Sequence, residues 1–89
     1  MFSLELPDTI SNEEILRLAI IAELDAISLY EKMSEKTKNS GLKKLLLDIS
    51  KEEKTHVGEF LKLLEEKDKE QKDELENGAE EAENIIKMF

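Results

Sequence analysis

The segment Glu53-Lys54-Thr55-His56 sets a carboxylate and the chain's only imidazole three residues apart. On a helix that spacing puts both side chains on one face. A second acid, Glu23, lies in an otherwise apolar stretch thirty positions earlier. Carboxylate oxygen together with imidazole nitrogen suits iron, manganese or zinc, whereas a calcium site would be built from oxygen alone. An unpaired carboxylate is costly to bury near neutral pH, so something at these positions should neutralise it. A divalent cation is one answer. The competing one is plain: Glu-x-x-His arises on many helices by chance, and Glu23 with His56 would by themselves make a buried ion pair.

The elements that position these residues are two long helices. "ISNEEI" opens the first: Ser11 as N-cap and Glu14 three residues on form a capping box, with Ile10 and Ile15 as the hydrophobic staple. The helix is predicted over 12–38. "KNSG" at 38–41 is turn chemistry, and a second helix is predicted over 42–67, each about 40 Å long at ~1.5 Å per residue. So short a turn makes an antiparallel hairpin. Asp68 and Gln71 resemble another capping box, predicting a third, acidic helix over 69–87, with Asn77-Gly78 marking an end or a bend. On the second helix Leu42, Leu46, Ile49, Glu53, His56, Phe60 and Leu63 form one stripe spaced four and three. On the first, Leu16, Ile20, Glu23, Ile27 and Tyr30 repeat that spacing. With the turn centred between 39 and 40, residue i faces residue 79 − i, so Glu23 faces His56 and Glu53 lies one turn away. Three polar groups thus converge inside an apolar seam. Di-metal carboxylate bundles take a Glu from each of two helices and a Glu-x-x-His from each of two others. This chain carries one of each, half of such a site. Two copies would supply four carboxylates and two imidazoles, a charge of −4 balanced by two divalent cations.

Composition narrows the setting. The chain has 89 residues, no cysteine, and 22 acids against 13 basic residues, a net charge of −9. That length fits one domain, 1–89, with a thin core that calls for metal or oligomerisation. Disulfides and thiolate metal sites are excluded. The negative charge argues against nucleic acid and anionic lipid as partners. No long uncharged run predicts a membrane span, and "MFSLELPDTI" lacks the basic region and apolar core of a signal peptide; the expected location is the cytoplasm. Residues 65–83 hold ten acids and three lysines, most simply a solvated helix face. Lysine far outnumbers arginine, of which Arg17 is the single example, a pattern associated with thermophiles.

Other residues carry less. Tyr30 shares the face of Glu23 and is either a core aromatic with a wet hydroxyl or a group beside the metal ligands. Glu52 and Glu59 lie on neighbouring ridges and read as solvated. Asp25 is expected to face another subunit, Gly58 is expected to mark a close helix approach, and Met33 reads as packing rather than chemistry. From Ile15 to Met33, 13 of 19 residues are apolar. One hairpin partner covers only a ~100° stripe, so Leu18, Ile21, Ala22 and Leu29 are expected at contacts between protomers.

"RLAIIAELDAISLYEKM" followed by "LLLDISKEEKTHVGEFLKLL" resembles the encapsulated ferritins, the ferritin-like cargo of encapsulin nanocompartments, and most of all thermophile versions. The resemblance covers about residues 12–70. It implies an all-α fold in which antiparallel hairpins dimerise into a ferritin-like four-helix bundle and dimers close into a decameric ring. It implies that Glu23, Glu53 and His56 of both chains bind a di-iron centre, two irons per dimer, with Mn or Zn able to substitute, and that Tyr30 is the family's tyrosine near the site. The family's second, acidic metal site on the first helix is only partly present, with Ala22 and Asp25 at those positions. Free-standing members carry a targeting tail, whereas this sequence runs to "ENIIKMF"; a truncated chain, a domain fused to its shell protein and a different targeting signal all fit. The implied function is a ferroxidase oxidising Fe²⁺ to Fe³⁺ with an encapsulin shell as partner. The alternatives are a rubrerythrin-like peroxide reductase, against which the lack of a cysteine-ligated domain counts, and a non-enzymatic helical assembly module.

Overall fold

In the computed structural model, which describes residues 5–89, three helices follow in order: α1 (Asn12–Lys36), α2 (Ser40–Lys67) and α3 (Lys69–Lys87). No strand occurs among the described residues. Residues 1–4, the start of the segment tested above as a signal peptide, lie outside them. The protein is thus all-α, and α1 and α2 pack as an antiparallel hairpin.

The caps explain the boundaries. Ser11 accepts a hydrogen bond from the Glu14 amide at 3.1 Å, the anticipated N-cap of α1. The turn differs from expectation: α1 stops at Lys36 rather than 38, and α2 starts at Ser40 rather than 42. Asn39 is the reason. Its side chain accepts from the Leu42 amide at 2.9 Å, which makes Asn39 the N-cap and draws Ser40 and Gly41 into the first turn. Asp68 likewise accepts from the Gln71 amide at 3.0 Å and caps α3. Asn77-Gly78 does not end α3, which runs through to Lys87; no glycine takes positive φ, so Gly78 sits in helical backbone.

The core of the hairpin is thin. Leu16, Ala26, Leu46 and Leu64 are its buried apolar residues, and its two most buried side chains are serines, Ser34 and Ser50, each 2% exposed. A serine at a helix contact lets the backbones come close, and Ser34 satisfies its hydroxyl by donating to the Glu31 carbonyl at 2.6 Å. The expected stripe of α2 departs at both ends, where Leu42 and Leu63 are exposed while Leu64 is buried. A straight helix has 3.6 residues per turn, so a strict 3.5-residue stripe drifts off the seam. Gly58 marks no close approach within the hairpin: a Cβ there would meet nothing within 4 Å. α3 leaves the hairpin, packing only against α2, and no residue of it is buried. Its direction is set at the Asp68 cap, which also receives a short ionic contact from Arg17 of α1.

Candidate metal centre

The register of the hairpin decides the site. Glu23, midway along α1, meets Glu53 and His56 of α2, and one ligand atom from each of the three lies within 4.8 Å of the others. This is the cluster of metal-donor side chains found among the described residues. His56 Nδ1 stands 3.4 Å from Glu23 Oε2 and 3.7 Å from Glu53 Oε1. The carboxylates are 19% and 18% exposed and the imidazole 43%. The two carboxylates therefore sit in the seam, while the imidazole is the more exposed member of the cluster.

One atom tests whether a cation fits. Glu23 Oε2 is buried and has no hydrogen-bond donor. His56 is near enough to attract it, but misaligned for a hydrogen bond. A buried acceptor without a donor is costly, and a metal ion would satisfy it. The donor set points the same way: two carboxylates and one imidazole suit iron, manganese or zinc.

Proton affinities carry the same strain. Glu53 is pushed above the ordinary carboxylate range, first by the close approach of the Glu23 carboxyl, then by burial and by the like charge of Glu23, with His56 opposing. For His56, burial is the largest single influence and pushes it down. Glu23, by its proximity as an acceptor and by its charge, together with the charges of Glu53 and Glu59, outweighs burial, and the imidazole is raised. A bound cation would oppose both upward shifts.

The remaining residues are placed as follows. Tyr30 is half-buried on α1 and does not join the cluster. Glu52 and Glu59 are exposed, as is Asp25; Glu59 reaches the site only through its charge on His56. Met33 is 42% exposed, so it does little packing within the hairpin. Sequence reasoning passed over Glu31. Its Oε2 lies 3.0 Å from Lys54 Nζ and accepts from Ser50 Oγ at 3.2 Å. The visible signal is the i, i+4 pair Ser50 and Lys54 facing an acid on the partner helix.

Fold and site together define a class, helical proteins with a carboxylate–histidine cluster between helices, and the comparisons give the family. Residues 14–88 match the family described as Rubrerythrin, and the chain belongs to it. Among relatives, it is 56% identical over 72 residues to a ferritin-like–encapsulin shell fusion protein of Pyrococcus furiosus, a match spanning 81% of this chain and 21% of that protein. The chain thus spans about a fifth of the length of that relative. Among solved structures, it resembles the encapsulated ferritin domain from Pyrococcus furiosus, with a TM-score of 0.82 and 46% identity over 93% of this chain and 95% of the other. The likeness to the encapsulated ferritins read from the sequence is therefore found both in sequence and in fold. No helix among the described residues is long and apolar enough to cross a membrane.

Proposed function

We propose that the protein is a ferroxidase, oxidising Fe²⁺ to Fe³⁺ at a di-iron carboxylate centre completed by a second copy of the chain, and that it serves iron storage inside an encapsulin compartment in the cytoplasm. The observation that carries this reading is the convergence of Glu23, Glu53 and His56, with a buried Glu23 oxygen that has no donor. Two copies offer six ligands and four negative charges, which two divalent cations balance. Manganese or zinc would be accepted by the same donors. Iron supplies the redox chemistry: two Fe²⁺ give up two electrons, and O₂ with two protons takes them to become H₂O₂. The chain's own part is to fix the two carboxylates and the imidazole with one ligand atom of each within 4.8 Å of the others, and to give up any proton on Glu53 or His56 as the cations bind. The shell as partner, and the compartment as location, rest on the fused relative and on the encapsulated ferritin structure. This reading requires a dimer; a decameric ring of such dimers is what the resemblance to the encapsulated ferritins implies.

The test is stopped-flow oxidation of anaerobically loaded Fe²⁺. Glu23→Ala, Glu53→Ala and His56→Ala should each abolish rapid oxidation, since each removes two of six ligands. Glu52→Ala and Glu59→Ala, at exposed positions, should keep most of it. Near-wild-type oxidation by any of the first three would overturn the shared site. Membership of the Rubrerythrin family supports a second reading, a peroxide reductase. Consumption of H₂O₂ far ahead of O₂ by the ferrous protein would favour it.

A further inference from the structure

Lys54 follows Glu53 directly on α2, so its ammonium, at the end of a long flexible side chain, starts one residue from the metal cluster. Ammonium and divalent cation seek the same thing, a carboxylate oxygen with a free lone pair, and Glu23 Oε2 is such an atom. Lys54 does not take it. Its Nζ is drawn 3.0 Å from Glu31 Oε2, two turns along α1 from Glu23. Glu31 is held there. The same oxygen accepts from Ser50 Oγ at 3.2 Å. Ser50 is 2% exposed, so the brace is rooted in the buried seam of the hairpin. Lys54 and Glu31 themselves are 59% and 43% exposed, and an ion pair that open contributes little to stability. We propose that Glu31 is a positioning residue that keeps the Lys54 ammonium away from Glu23 and Glu53, leaving their oxygens free for a divalent cation. Contacts with Lys54 and Ser50 also lower the proton affinity of Glu31, which keeps it anionic at any pH where the metal would bind.

This inference rests on the metal-site reading above, and the experiment separates the two. Mn²⁺, which is stable in air at neutral pH, is titrated into the full chain and its Glu31→Ala, Glu31→Gln, Lys54→Met and Glu31→Ala/Lys54→Met variants by calorimetry, with melting of the metal-free proteins in parallel. Wild type must bind Mn²⁺ far more tightly than Glu23→Ala; if it does not, the metal site and this inference both fall. Given binding, Glu31→Ala and Glu31→Gln should weaken it about five- to tenfold, because the freed ammonium competes for the carboxylates. Lys54→Met should bind at least as tightly as wild type. The decisive variant is the double one, which should return to within about twofold of wild type, the signature of coupled residues. Melting should show no such rescue. Glu31→Ala at wild-type affinity, or a double variant as weak as Glu31→Ala, would overturn the proposal and leave the metal site standing.

Discussion

At the residue scale, the site is a contest between protons and a cation. Glu53 and His56 both hold protons more tightly in the folded chain than in the unfolded one. For a group whose pKa is raised by folding, the stabilising contribution is complete below the unfolded value and is lost as pH rises through the folded one. The ordinary values are 4.5 for Glu53 and 6.5 for His56. Metal-free protein should therefore lose melting temperature as pH climbs from above 4.5 through and beyond 6.5. Glu31, whose pKa is lowered by the Lys54 and Ser50 contacts, has the opposite sign, but its stability is lost only as pH falls below the ordinary 4.5. With saturating Mn²⁺ the trend should reverse, because ligands must shed protons to bind. Melting curves at several pH values with chelator and with Mn²⁺ check both slopes. Glu53→Gln, which has no proton to lose, should flatten the chelator series. An unchanged slope in that variant would show that Glu53 does not carry the effect.

At the element scale, packing in the hairpin is governed by small residues. Ser34 and Ser50 are almost fully enclosed, so Ser50→Leu should force α1 and α2 apart at a cost of about 1–3 kcal/mol, whereas Ser50→Ala should cost about 1 kcal/mol or less. Denaturant titration distinguishes them; equal stabilities would mean that the helices do not approach closely there. Gly78 presents the reverse case. It lies in regular helix with nothing near its Cβ position, so Gly78→Ala should favour α3 by up to about 1 kcal/mol. Amide exchange along α3 should slow by up to about fivefold, and faster exchange would show that the glycine is needed for a bend. These two positions also mark how far the sequence can be read. The antiparallel hairpin, the Ser11 and Asp68 caps and the facing of Glu23 and His56 all follow from periodicity and turn length, which act locally along the chain. The serine contact does not, because a buried serine interrupts a hydrophobic pattern rather than extending it. The predicted start of α2 falls two residues late because Asn39 reads as turn chemistry, although asparagine is equally a helix cap. Glu31 escaped notice for a related reason. Its importance comes from Lys54 and Ser50 on the other helix, and no spacing within α1 reveals it.

At the scale of the whole molecule, the hairpin is unfinished. Its buried apolar residues are Leu16, Ala26, Leu46 and Leu64, while Ile21, Leu24 and Leu29 of α1 are 52%, 51% and 40% exposed. A single 89-residue chain with so small a core is short of stabilising burial, and an apolar face beside an incomplete ligand set invites a second copy to cover both. Bringing two such faces together without metal would gather four carboxylates in a partly dry seam. Like charges at that range repel, so either more protons bind or the interface loosens. Two divalent cations remove the repulsion. In the proposed shared site the complete ligand set exists only in the associated state, so mass action requires that metal favour association. Native mass spectrometry across a titration with Fe²⁺ under argon, or with Mn²⁺ or Zn²⁺, should show monomer giving way to dimer and larger rings as metal is added. Glu23→Ala discriminates between repulsion and ligation. It relieves the charge and also destroys the site, so it should associate to the same extent with and without metal. A wild-type oligomer distribution that ignores metal, at concentrations where subunits exchange, would show that Glu23, Glu53 and His56 do not lie at an interface between copies. Metal-driven association that persists in Glu23→Ala would place the linking cation elsewhere on the chain.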